Sequence, residues 1–134
     1  MSEGNVLARA RATLAEARYK TDIRAGHHDL VADEPVSAGG ADAGANPFAL
    51  VLSGLGACTA ITLRMYAERK GWTLASLSVA LTCTREPDKS VKVERVLSID
   101  GVDAEAKARL ADIAERTPVT LALKGGMKIE TRLA

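Results

Sequence analysis

The stretch NPFALVLSGLGACTAITLRMYAERKG, from Asn46 to Gly71, decides the architecture. Asn is a good N-cap and Pro is favoured at the first helical position. Arg64, Arg69 and Lys70 crowd the far end, where cations suit the helix dipole, and Gly71 is the expected stop. The spacing predicts a helix over residues 47–70, about 36 Å long at 1.5 Å per residue. No residue from Pro47 to Leu63 is charged, so the first two-thirds is apolar all round, the mark of a buried helix. That run lies at the lower edge of a membrane-spanning length, but Ser53, Gly54, Gly56, Thr59 and Thr62 dilute it and no aromatic belt flanks its start. It reads as the core helix of a soluble protein, with no membrane partner.

Ser53, Gly54, Gly56, Ala57 and Ala60 recur at spacings of three and four and form a smooth stripe. Gly inside a helix costs about 1 kcal/mol against Ala, so two glycines need a compensating close approach. Another element of the chain or the same helix of a second subunit could supply it. Two short helices and one sheet cover such a helix poorly, and a homodimer is expected.

Upstream, residues 6–13, 18–24 and 28–32 read as three strands, followed by the glycine-rich loop AGGADAGA of residues 38–45. Downstream, Leu77, Val79, Leu81 and Cys83 alternate with Ser78, Ala80, Thr82 and Thr84 as a strand. A turn over residues 86–90 returns it as a second strand over 91–99. Asp103 caps a helix to about Arg116, Thr117-Pro118 restarts a short helix ended by Gly125-Gly126, and residues 127–133 close the chain as a strand. The order β-β-β-α-β-β-α-α-β is an α+β fold with antiparallel sheets.

The chain has 134 residues, one domain's worth, so residues 1–134 are read as a single domain. Eighteen basic residues against seventeen acidic ones give a net charge of +1, which disfavours a nucleic-acid partner. Aromatics are only 3%, too few for a base-stacking platform. Two cysteines make no disulfide scaffold, and the N-terminus has no basic and apolar leader pattern. A cytoplasmic location is expected, where a cysteine is either inert packing or deliberate chemistry.

Cys58 lies mid-helix. Free Cys usually packs, and reactivity would need a neighbouring cation. Arg18, Arg24, Arg64 and Arg95 are candidates. Arg95 shares a strand face with Val91, Val93, Leu97 and Ile99, so it either reaches a buried anion or marks a bulge. Cys83 reads as core filler. His27 and His28 are adjacent on a strand and would point to opposite faces, so no metal site is expected, and no cofactor loop is present.

The segment from Asp33-Glu34-Pro35 through the glycine loop and Asn46-Pro47 to Leu55-Gly56-Ala57-Cys58-Thr59-Ala60 resembles the OsmC/Ohr family, especially its OsmC-like branch. Residues 62–72, 23–30 and Ile113-Ala114-Glu115-Arg116-Thr117-Pro118-Val119 fit as well, and the likeness covers most of 18–133. It implies an intertwined homodimer with two long helices at its core. It also implies that Cys58 attacks the O–O bond of an organic hydroperoxide, giving an alcohol and a sulfenic acid. Arg18 is the nearest match to the family's activating Arg, and Phe48 and Leu55 would touch substrate. Two expected groups are missing. The family's second cysteine precedes Pro-Val, where Thr117 stands here, and its carboxylate falls at Phe48 or Ala49. The resemblance therefore implies a thiol-dependent reductase of organic hydroperoxides served by an external thiol reductant. The alternative is a non-peroxidatic dimer that binds a small apolar ligand in its interface pocket.

Overall fold

A computed structural model describes residues 4–134. They fall into two compact units, one ending at Val51 and one running from Leu52 to Ala134. The first holds three antiparallel strands in the order β1 (Ala10–Leu14), β2 (Thr21–Ala25) and β3 (His28–Ala32). β1 pairs Leu14 with Thr21, and β2 pairs Ala25 with His28 across a two-residue turn. The expected first strand thus forms, but starts at Ala10 rather than at residue 6.

After β3 the chain enters the glycine-rich loop, organised by one buried carboxylate. Asp33 accepts hydrogen bonds from the backbone N–H groups of Glu34 at 2.7 Å, Ala43 at 3.1 Å and Ala41 at 3.2 Å. These bonds, that of Ala43 first, hold the carboxyl below its ordinary range against the opposing cost of burial. A Cβ on Gly40 would collide with the Glu34 carbonyl, so the loop closes this tightly only with glycine there. The glycine pair is a tight-turn device.

Helix α1 spans Pro47–Lys70. Asn46 caps it, its side-chain oxygen accepting the Ala49 N–H at 2.8 Å. At the far end the Gly71 and Trp72 N–H groups bond back to the Glu68 and Ala67 carbonyls, closing the last turn. By length and composition α1 could cross a membrane. Its buried residues are instead Leu55, Thr59, Leu63 and Ala67, a single stripe at spacing four. The first two-thirds of the helix is apolar all round, but its buried residues form this one stripe, because the second unit offers only a hairpin and two short helices. Val51, Ile61 and Met65 are exposed. The two glycines differ: a Cβ on Gly56 would press on Leu81 Cδ1 at 2.8 Å, whereas one on Gly54 would meet open space.

The second unit continues with the hairpin β4 (Ser76–Arg85) and β5 (Val91–Asp100), in register from Ser76↔Asp100 to Arg85↔Val91. Helix α2 (Ala104–Ala114) follows, capped by Asp103, which accepts the Ala106 N–H at 2.8 Å. Helix α3 (Pro118–Gly125) is capped by Thr117. Leu63, Ala67, Leu74, Ile99, Leu110 and Ala114 form the core, with Tyr66, Trp72, Leu77 and Leu97 packed against it.

The expected closing strand over residues 127–133 does not form. The chain there has no regular structure, and Ile129 and Leu133 are 84% and 96% exposed. The alternation of apolar residues is real, but a strand also needs a neighbouring edge to take its N–H and C=O groups. Among the described residues no strand pairs with this segment.

Candidate functional site

The Cys58 sulfur sits where the start of α3 meets the middle of α1. The backbone N–H of Val119 donates to Cys58 Sγ at 3.5 Å, and the Thr62 hydroxyl lies 4.0 Å from the sulfur, one turn along α1. The local sequence makes this contact possible. Pro118 occupies the first helical position, so the first N–H that α3 can present is that of Val119, which precedes any intrahelical acceptor. The helix dipole also places positive potential at this end, facing the sulfur.

A guanidinium bonds to the residues that follow Cys58 and Val119 in the chain. Arg95 projects from β5, opposite Leu81, without any break in register, so no bulge turns it outward. Its side chain is only 13% exposed. Nη1 donates to Thr120 Oγ1 at 2.8 Å and to Thr59 Oγ1 at 3.0 Å. Nη2 donates to the Ala114 carbonyl at 2.9 Å and reaches Glu115 Oε2 at 3.5 Å. The Thr59 hydroxyl donates to the Leu55 carbonyl at 2.7 Å, and the Thr117 and Thr120 hydroxyls lie 2.7 Å apart. Arg95 therefore ties α1, the end of α2 and the start of α3 together through the residues next to Cys58 and Val119. No buried side-chain polar atom among the described residues lacks a partner.

Glu115 links this network to solvent. It accepts a hydrogen bond from Lys124 Nζ at 2.9 Å, and that bond and charge, with a smaller contribution from the Arg95 charge, hold its carboxyl below the ordinary range against desolvation and a weaker repulsion from Asp112. An open cleft of about 400 Å³ adjoins: Leu55, Val91, Val93 and Leu123 form its apolar wall, and Arg95, Thr120, Glu115 and Lys124 its polar end. A larger open cleft, of about 640 Å³, lies by Tyr66, Trp72 and Arg109, and neither cysteine lines either cleft.

Of the residues singled out from sequence, Cys58, Leu55 and Thr117 belong to this unit. Thr117 is buried as the cap of α3, and Leu55 is buried and lines the cleft. Arg18 and Phe48 belong to the unit ending at Val51. Arg18 stacks over the Tyr19 ring at 4.7 Å and donates to the Gly39 carbonyl at 3.5 Å, while Phe48 is half exposed on the first turn of α1. Cys83 is partly buried on β4 and unbonded to Cys58. The sequence reading flagged Arg95 through its place on an apolar strand face. It missed Thr59, Thr120 and Glu115, whose roles depend on three elements converging. It also set the two histidine side chains on opposite faces, but the His27 and His28 rings lie 4.0 Å apart. His27 sits in the turn before β3, where strand alternation does not apply. Among the described residues no group of three potential metal ligands includes them.

The OsmC-like protein family matches residues 39–132. Among solved structures the fold is similar to that of an OsmC-like protein from Mycoplasma pneumoniae, at 21% identity over 91% of this chain and 90% of that one, with a TM-score of 0.78. It is similar also to an organic hydroperoxide resistance protein OsmC from Legionella pneumophila, at 22% identity, 92% and 93% coverage and a TM-score of 0.68. A third likeness is to the organic hydroperoxide resistance protein OhrB of Bacillus subtilis, at 22% identity, 90% and 92% coverage and a TM-score of 0.64. No curated protein matches.

Proposed function

The chain belongs to the OsmC-like protein family, and from that premise we propose that it is a thiol-dependent reductase of organic hydroperoxides, with Cys58 as the attacking sulfur. The observation that carries this reading is the Val119 N–H directed at Cys58 Sγ from the start of α3. A backbone donor at the positive end of a helix favours an anionic sulfur, and the thiolate is the nucleophile.

In the proposed reaction Cys58 attacks the terminal peroxide oxygen. The O–O bond breaks, the substrate leaves as an alcohol, and the sulfur becomes a sulfenic acid. One molecule of external thiol then forms a mixed disulfide with release of water, and a second frees Cys58. Thr117 stands where a second cysteine would act, so the reductant comes from outside. Leu55, at the apolar wall of the adjoining cleft, is proposed to touch the organic group of the substrate. The reducing cytoplasm would supply such thiols.

A homodimer is part of the same proposal. Val51, Ile61 and Met65 on α1 lie exposed, and Gly54 opens onto free space. Contiguous apolar surface of this kind marks an interaction site. A second copy would cover the uncovered faces of α1 and offer a sheet edge to residues 127–133.

The apolar wall of the Leu55 cleft favours a second reading, a dimer that binds a small apolar ligand without turnover. One experiment separates the two. Native thiols are counted before and after one equivalent of cumene hydroperoxide. Loss of the Cys58 thiol, with cumyl alcohol formed in equal amount, supports the reductase. Two thiols remaining with the hydroperoxide intact would overturn it.

A further inference from the structure

Resting on the reductase reading of Cys58, we propose that its sulfenic acid closes onto the backbone nitrogen of Val119, forming a sulfenamide that shields the sulfur until an external thiol reopens it. The two atoms already face each other at 3.5 Å. Sulfenic acids condense with a thiol or with a backbone nitrogen, and Thr117 removes the thiol from the place that the resemblance assigns to it.

The Val119 nitrogen suits this chemistry better than an ordinary helical nitrogen. An interior helix N–H is committed to a carbonyl four residues back, and capturing its nitrogen would break that bond. Val119 is the second residue of α3, among the first four whose N–H groups have no intrahelical acceptor. Replacing its hydrogen by sulfur costs the helix no bond, for the reason that proline is tolerated in a first turn. The neighbours also hold the partners in place. Arg95 Nη1 donates both to Thr59, next to Cys58, and to Thr120, next to Val119.

The step balances without a further reagent. The organic hydroperoxide oxidises the thiol to the sulfenic acid and leaves as its alcohol. The sulfenic hydroxyl and the amide hydrogen then leave together as water while the S–N bond forms, and the sulfur keeps its oxidation state. A thiol reverses the closure by attacking the sulfur. The S–N bond breaks, the nitrogen takes back a proton, and a mixed disulfide remains for a second thiol to reduce. The amide would thus do the protective work of the missing cysteine.

Peptide mapping tests this on the whole protein. It is treated with one equivalent of cumene hydroperoxide in the absence of thiol, quenched in acid and digested with trypsin without reduction. The sulfenamide joins peptides 25–64 and 117–124 into one species, lighter than their sum by two hydrogens, which dithiothreitol separates. Val119→Pro should lose the cross-link and Val119→Ala should keep it. If Val119→Pro does not fold, the map of the unmodified protein still decides. Finding Cys58 as a dimedone-trapped sulfenic acid, a sulfinic acid or a disulfide with Cys83, with peptide 117–124 free, overturns the sulfenamide and leaves the reductase standing. A Cys58 that stays reduced in the presence of hydroperoxide overturns both.

Discussion

Arg95 and Thr59 meet at 3.0 Å: a guanidinium carried on a strand donates to a hydroxyl on α1, directly beside Cys58. The same Nη1 holds Thr120 on α3, so one side chain fixes how the helix that carries the sulfur and the helix that faces it approach each other. Replacing Arg95 by Met should leave the Thr59 and Thr120 hydroxyls without their guanidinium donor and the Ala114 carbonyl with only the longer bond from the Thr120 hydroxyl, at 3.3 Å. The expected cost is about 3 kcal/mol, read from urea unfolding. Arg95→Lys should recover only part of it, since an ammonium cannot reproduce the fork. A loss smaller than the error of the unfolding measurement would show that the network does not hold these helices together.

Restoring a cysteine before Pro118 tests how the start of α3 is seated. Thr117→Cys should lose the hydroxyl cap, at about 1 kcal/mol of stability. After one equivalent of organic hydroperoxide it should form a disulfide with Cys58, which requires Cα atoms roughly 4.4–6.8 Å apart. The new thiol should also divert the sulfenic acid from Val119 and allow turnover with a dithiol. If mass spectrometry finds the variant still reduced, or linked only between separate molecules, position 117 does not reach Cys58.

The Asp33 loop predicts an acid limb of stability. The backbone N–H of Ala43, with those of Glu34 and Ala41, lowers the folded carboxyl below its unfolded value. A lowered carboxyl contributes stability that is fully present above the unfolded value and is lost as pH falls through the folded one. Acid should therefore loosen residues 33–45 in particular, seen as faster amide exchange there below the ordinary aspartate range. Asp33→Asn should weaken the loop at neutral pH and remove this pH dependence. An unchanged acid response in that variant would assign the effect elsewhere.

Ile61 and Met65, 55% and 56% exposed one turn apart on α1, should lie under a second copy. Light scattering at micromolar concentration should give about twice 14.1 kDa for the native chain and about that mass for Ile61→Glu. A burial cost of several kcal/mol for an unpaired carboxylate makes the substitution decisive. A native monomer, or a dimer unmoved by the change, would place any interface away from this face.

The sequence alone determined the three α-helices and the downstream hairpin, because their signals are local. Asn46, Asp103 and Thr117 cap their helices through their own side chains, Gly71 ends α1, and period-two alternation marks β4 and β5. Cys58 also stood out from its motif, before any neighbour was known. The strand over residues 127–133 failed on the same logic, since alternation describes a segment while pairing needs an edge elsewhere. What surrounds Cys58 was decided only by tertiary structure. The Val119 nitrogen lies sixty-one residues along the chain from the sulfur and Arg95 thirty-six from Thr59. No periodicity links positions so far apart. The sequence could mark Arg95 as a charge on an apolar face, but the packing of β5, α2 and α3 on α1 determines which hydroxyls and carbonyl satisfy it, and hence which backbone nitrogen faces the sulfur.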